Sequence, residues 1–130
     1  MFSYIEYKNI IELIKAKRRI CDFKDVLSFG HDIFCVLRHD IEFSIDRALS
    51  LARIEAHELG VVSTYTVQLR NNTYNALSQK NIEAIQEIKK LGHSIGLHQN
   101  PPSMKDDELV EYILKDIETL EHYYDFEVDR

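Results

Sequence analysis

The chain has 130 residues, 45% hydrophobic and 29% charged, a length and balance suited to one globular domain with a buried core. With 22 acidic against 16 basic residues the formal charge is −6, and the basic residues are dispersed except for Lys15-Ala16-Lys17-Arg18-Arg19, so nucleic acid or another polyanion is not the expected partner. No segment approaches the roughly 18 apolar residues of a membrane span, and the N-terminus lacks the basic start and unbroken apolar stretch of an export signal, so a cytoplasmic location is expected.

Apolar residues at Tyr4, Ile5, Ile10, Ile11, Leu13 and Ile14 predict a covering helix from Tyr4 to about Lys17, and the basic cluster at its end complements the helix dipole. A polar connection containing Gly30 follows. Ile33 to Arg38 is a short, nearly continuous apolar run, which predicts a strand buried on both faces. Cys35 lies inside it, and because Cys21 and Cys35 lack CxxC spacing both are read as reduced thiols.

Ser44 is a suitable N-cap for a second helix with Ala48, Leu49, Leu51, Ala52, Ile54 and Leu59 on its apolar face, ending at Gly60. Val61 to Leu69 is rich in β-branched and aromatic residues and predicts a second strand, followed by the polar loop Arg70-Asn71-Asn72-Thr73. Ser78 caps a third helix carrying Ile82, Ile85, Ile88 and Leu91, which stops at Gly92. His93 to His98 is a third strand closed by Gln99-Asn100-Pro101-Pro102, and Ser103 is placed to cap a fourth helix built on Leu109, Ile113, Ile117 and Leu120.

Helix, then strand and helix three times over, predicts an α/β domain with a parallel sheet and its functional loops at the carboxyl ends of the strands. A closed (β/α) barrel takes about 250 residues, so this length corresponds to roughly the N-terminal half of one. Val128-Asp129-Arg130 follows an acidic, aromatic stretch and could start a further strand. A truncated chain is therefore expected, with a small open three-layer domain as the alternative.

Asp40 and Glu42 stand two apart at the end of the first predicted strand, where alternation sends both carboxylates to one face. Such a pair is costly unless a cation lies beside it, and a metal ligand next to a general base uses the arrangement. The competing reading is that both only favour the N-terminus of the helix starting at Ser44. His98 ends the third strand with the parity of Ser94 and Gly96, and so emerges at the same rim as the carboxylates; an imidazole opposite them makes a plausible zinc ligand set. His93 has the opposite parity and is read as a hydrogen-bonded core residue. His39 faces away from Asp40 and is read as supporting the ligands rather than joining them. His31, His57 and His122 are assigned to loops or helix surfaces.

The strings Leu37-Arg38-His39-Asp40-Ile41-Glu42-Phe43-Ser44, Ser63-Thr64-Tyr65 and Leu91-Gly92-His93-Ser94-Ile95-Gly96-Leu97-His98 occur in that order. Together they resemble the N-terminal part of the polysaccharide deacetylases with the NodB homology domain, in particular the branch found among surface-polysaccharide biosynthesis proteins. The resemblance runs from about Ile33 to His98. It implies a distorted (β/α) barrel of which residues 1–130 form one partial domain, hydrolysis of acetyl groups on sugars, and a divalent metal, zinc first, held by an acidic residue and two histidines. By motif, Asp40 resembles the catalytic base, Glu42 occupies the place of the acidic ligand, usually Asp, and His98 resembles the first histidine of a His-x-x-x-His pair. Pro102 stands where the second histidine is expected, and the later motifs find no match.

The implied substrate is an acetylated sugar or polysaccharide precursor, and a homo-oligomer or a partner supplying the missing half is compatible with exposed half-barrel edges. Two alternatives accompany this reading. One is a catalytically inactive relative that folds or associates without turnover. The other is a sugar-nucleotide-binding glycosyltransferase fragment, disfavoured by the lack of a Gly-rich loop before the second helix.

Overall fold

The computed structural model describes residues 2–28, 30, 33–101 and 103–130. The chain is mixed α/β, with short parallel strands alternating with helices. Helix α1 (Tyr4–Lys15) starts at a reciprocal cap: Glu6 N–H donates to Ser3 Oγ, and the Glu6 carboxylate accepts from Ser3 N–H. Strand β1 (Arg19–Cys21) and a 3-10 turn (Phe23–Ser28) follow. The polar composition of this connection predicts neither.

The predicted first strand extends further than its apolar run and is broken. β2 (Phe34–Val36) pairs in parallel with β1, whereas β3 (Arg38–Ile41) pairs in parallel with β4 (Thr64–Val67). Leu37 is the joint, and its carbonyl accepts from Thr64 N–H at 2.9 Å. One stretch of chain thus serves one neighbour with its first half and another with its second. β5 (Ser94–Leu97) completes the order β3-β4-β5, and Asp129 makes a parallel bridge with Gly96 on β5. Among the described residues the strands form two small sheets, and no barrel is closed.

Helix α2 (Ile45–Ile54) begins where Ser44 Oγ accepts from Arg47 N–H at 3.3 Å. It does not run to Gly60 as a regular helix: Glu55–Leu59 form a π-helical turn that Gly60 ends with φ 62. Helix α3 (Gln79–Lys90) follows Ser78, whose hydroxyl makes no cap bond, and is succeeded by Gly92 at φ 99. Helix α4 (Asp106–Tyr124) has Lys105, not Ser103, at its N-cap, and its first turn carries Asp106, Asp107 and Glu108 against the positive helix end.

The core lies between the helices and one face of β3-β4-β5. Ile41, Tyr65, Val67 and Ile95 from the strands meet Ile45, Leu49, Ala52, Ile85, Ile88, Ile117 and Leu120 from the helices. A smaller cluster of Ile11, Leu59 and Val61 seats α1. Alternation puts the other strand residues on the opposite face: Arg38, Thr64 and Ser94 form one row, and Asp40, Thr66 and Gly96 the next. That face carries the site.

Candidate functional site

Asp40 lies near the carboxyl end of β3. Its Oδ1 accepts from Arg38 Nε at 2.7 Å and from Thr66 Oγ1 at 2.6 Å. Partial burial works to raise the Asp40 carboxyl, but the hydrogen bonds from Thr66 and Arg38 and the charges of Arg38 and His98 outweigh it and hold it below its ordinary value. Asp40 is therefore ionised at neutral pH and able to accept a proton, although a lowered pKa makes it a weaker base.

His98 follows β5, and its main-chain N–H donates to Val67 O at 2.8 Å, which continues the β4-β5 pairing by one step. Continuing the register, Glu42, Gln68 and His98 fall in the row beyond Asp40, Thr66 and Gly96. β3 itself stops at Ile41, however, so Glu42 sits in a bend with an exposed side chain, and strand alternation no longer sets its direction. What holds Glu42 is its carbonyl, which accepts from Asn71 Nδ2 at 3.1 Å and lies 2.5 Å from Thr73 Oγ1. Gln68 Nε2 lies 3.3 Å from His98 Nδ1. Gln68, a polar residue on the same parity as Thr64 and Thr66, is legible in the sequence as a residue of this face, although parity alone does not mark it as a partner of His98.

Asp40 and His98 are thus brought to one rim within electrostatic reach, and Glu42 reaches the same rim on a bend. Carboxylates and an imidazole are suitable donors for zinc. Yet among the described residues no three His, Cys, Asp or Glu side chains gather into a group able to hold a metal ion. Pro102, at the expected second-histidine position, lies outside the described residues, as does His31.

Two cavities adjoin the rim. One, of about 350 Å³, opens on the sheet face between Asp22, Lys24, Arg38, Thr66, Gly96 and Asp129. The other, of about 700 Å³, lies over the loops after β3 and β4, where Glu42, Phe43, Asn72, Asn75 and Asn100 contribute amides, a carboxylate and an exposed ring. Beneath the first, the buried Asp22 carboxylate accepts from Thr64 Oγ1 at 3.1 Å, from Ser94 Oγ, and from Phe23 N–H at 2.7 Å. Burial works to raise Asp22, but the bonds from Ser94, Lys24 and Thr64 leave it below its ordinary value.

His39 does not support the rim. Its side chain lies on the helix-facing side of β3, where Nε2 meets Glu55 Oε1 at 2.7 Å. Glu55 is fully buried; it also accepts from the Tyr7 hydroxyl and, through Oε2, from Tyr65 OH at 2.6 Å. Burial pushes the Glu55 carboxyl up, but the bonds from His39, Tyr65 and Tyr7 hold it below its ordinary value, while burial beside it raises both tyrosine hydroxyls. The sequence signal was present: Glu55 is spaced three, four and seven residues from Ala52, Leu59 and Ala48, on the apolar stripe of its helix. His93 is the core residue expected, accepting from Ser63 N–H through Nδ1 at 3.1 Å and donating through Nε2 to Ala52 O at 2.9 Å. His57 and His122 are exposed, and Cys21 and Cys35 are free thiols. No helix among the described residues is long and apolar enough to cross a membrane.

Family models, curated proteins and solved structures were each compared with the chain, and none matches it.

Proposed function

We propose that this chain carries the N-terminal half of a metal-dependent, carbohydrate deacetylase-like hydrolase, built as half of a distorted (β/α) barrel. The observation that carries the reading is the convergence of Asp40 and His98 at the carboxyl ends of β3 and β5, on the face turned away from the helices. Catalytic groups of barrel enzymes stand at such strand ends. Two features favour the barrel. The strands follow one another in chain order, β3-β4-β5 and then Asp129, and Asp22, after β1, reaches Thr64 and Ser94 on β4 and β5, as a strongly curled sheet allows.

In this reading Asp40, held ionised by Thr66 and Arg38, takes a proton from the attacking water. Glu42 and His98 are the side chains that would hold the metal, whose part is to lower the pKa of water and polarise the acetyl carbonyl. A further ligand would have to come from outside the described residues. The groove over the β3 and β4 loops, with its amides and the Phe43 ring, suits a polyhydroxylated substrate.

The test is zinc titration by calorimetry together with acetate release from N-acetylated amino sugars. Binding that is lost in both Glu42→Ala and His98→Ala, and acetate release that falls at least ~100-fold in Asp40→Asn, are the expected results. A folded chain that binds no zinc and releases no acetate ends the enzyme reading. It would favour the second reading, an inactive relative that folds or associates without turnover.

A further inference from the structure

The loop after β4 contains a hydrogen-bond chain whose direction follows from one main-chain group. Thr73 N–H donates to Asn71 Oδ1 at 2.7 Å. A backbone N–H can only donate, so the atom facing it is the amide oxygen, and the other atom of the Asn71 amide is the NH₂. That Nδ2 has two hydrogens and two acceptors, Glu42 O at 3.1 Å and Gln68 Oε1 at 2.5 Å. Gln68 therefore accepts through its oxygen and turns Nε2 toward His98 Nδ1, 3.3 Å away. An amide nitrogen has no lone pair to offer, so Nδ1 must accept. The proton of the neutral ring is left on Nε2.

We propose that the Thr73-Asn71-Gln68 relay holds His98 as its Nε2-protonated tautomer, and that this relay must break before His98 can bind a metal. A metal at Nδ1 displaces the Gln68 amide. A metal at Nε2 requires the ring proton on Nδ1, where it faces an N–H of Gln68. The Gln68 amide cannot simply turn over, because its NH₂ would then meet the NH₂ of Asn71, and Asn71 is fixed by Thr73 N–H. Either mode of ligation costs the relay at least one bond. Gln68 is thus a positioning residue: it acts through His98 and decides whether that ring offers a hydrogen or a lone pair. The metal half of this proposal rests on the proposed function; the tautomer half does not.

The test uses the metal-free chain labelled with ¹⁵N at histidine, at a pH well above the imidazole range, with the His98 signals assigned by their loss in His98→Gln. Long-range proton–nitrogen spectra of the wild type are expected to show Nδ1 bare and Nε2 protonated. Gln68→Glu keeps an acceptor for Asn71 and puts a carboxylate oxygen opposite Nδ1, so the proton moves to Nδ1. Zinc should then bind the variant at least ~10-fold more tightly than the wild type, as a carboxylate partner on a ligand histidine favours the metal. A wild-type His98 protonated on Nδ1 overturns the relay, and that spectrum decides the matter even if Gln68→Glu does not fold. An unchanged tautomer in a folded Gln68→Glu overturns it as well. A switched tautomer with no zinc bound by either protein upholds the relay and removes both the metal half of this proposal and the proposed function.

Discussion

Replacing Glu55 by Gln tests how far one buried carboxylate ties α1 to the sheet. Glu55 has no exposed surface and takes three donors: the Tyr7 hydroxyl from α1, His39 from β3 and Tyr65 OH from β4. Glutamine offers one accepting oxygen and one NH₂ in the same space, so at least one of the three donors loses its acceptor, and every remaining bond loses the negative charge of its acceptor. A hydrogen bond to a charged group contributes about 1.5–3 kcal/mol. The side chain of His39 is 22% exposed and can turn to water, so its loss is discounted, whereas Tyr65 has no such outlet. The variant is expected to lose about 2–4 kcal/mol in urea unfolding at neutral pH. For a chain of 130 residues this corresponds to a fall in Tm of roughly 7–15 °C.

The pH dependence gives a second reading of the same variant. The folded Glu55 carboxyl lies below its ordinary value of 4.5, so its contribution is complete above that value and is lost as pH falls through the lower, folded value. The stability gap between wild type and Glu55→Gln should close as the solution is made more acid than the ordinary carboxyl value. A gap under about 1 kcal/mol at neutral pH, or one that does not narrow in acid, would show that the carboxylate does not organise this cluster.

Three further outcomes are expected. Thr66→Val removes one of the bonds that depress Asp40, so the Asp40 carboxyl should move up toward its ordinary value in an NMR titration, and the acid range in which the ionised form adds stability should shrink; an unmoved titration refutes the role given to Thr66. Gly60→Ala places a Cβ where nothing lies within 4 Å, so its cost, about 1 kcal/mol in the urea midpoint, comes from φ 62 alone. Arg70→Lys keeps the charge but loses the two-pronged bond to buried Asp116 and the stacking 4.4 Å from the Tyr112 ring; a loss of about 1–2 kcal/mol should largely vanish in an Asp116→Asn background, measured as a double-mutant cycle.

Local chemistry made much of the fold legible. Ser44, Gly60, Ser78 and Gly92 bracket helices where caps and left-handed residues put them, and the apolar periods of α2 and α3 describe the faces that pack on the sheet. Alternation from Thr64 to Val67 also separates Tyr65 and Val67, packed against the helices, from Thr64 and Thr66, buried on the opposite face. β1 was not legible because three residues paired to a distant strand leave no period to read. The same holds for the joint at Leu37, which exists because β2 and β3 serve different neighbours.

Within the site, the residue types and parity were enough to nominate Asp40 and His98 for one rim of a parallel sheet. They did not determine the direction of Glu42, because alternation ends with the strand at Ile41 and the bend is held by Asn71 and Thr73. They sent His39 to the correct face but left its partner unnamed, since Glu55 reaches it from a helix 16 residues away. The sequence alone therefore determined which side chains can meet along a strand or helix, where spacing is regular. Only the tertiary structure decided which polar groups meet across elements, because a hydrogen bond depends on tenths of an ångström and on the identity of the atom opposite, which no periodicity carries.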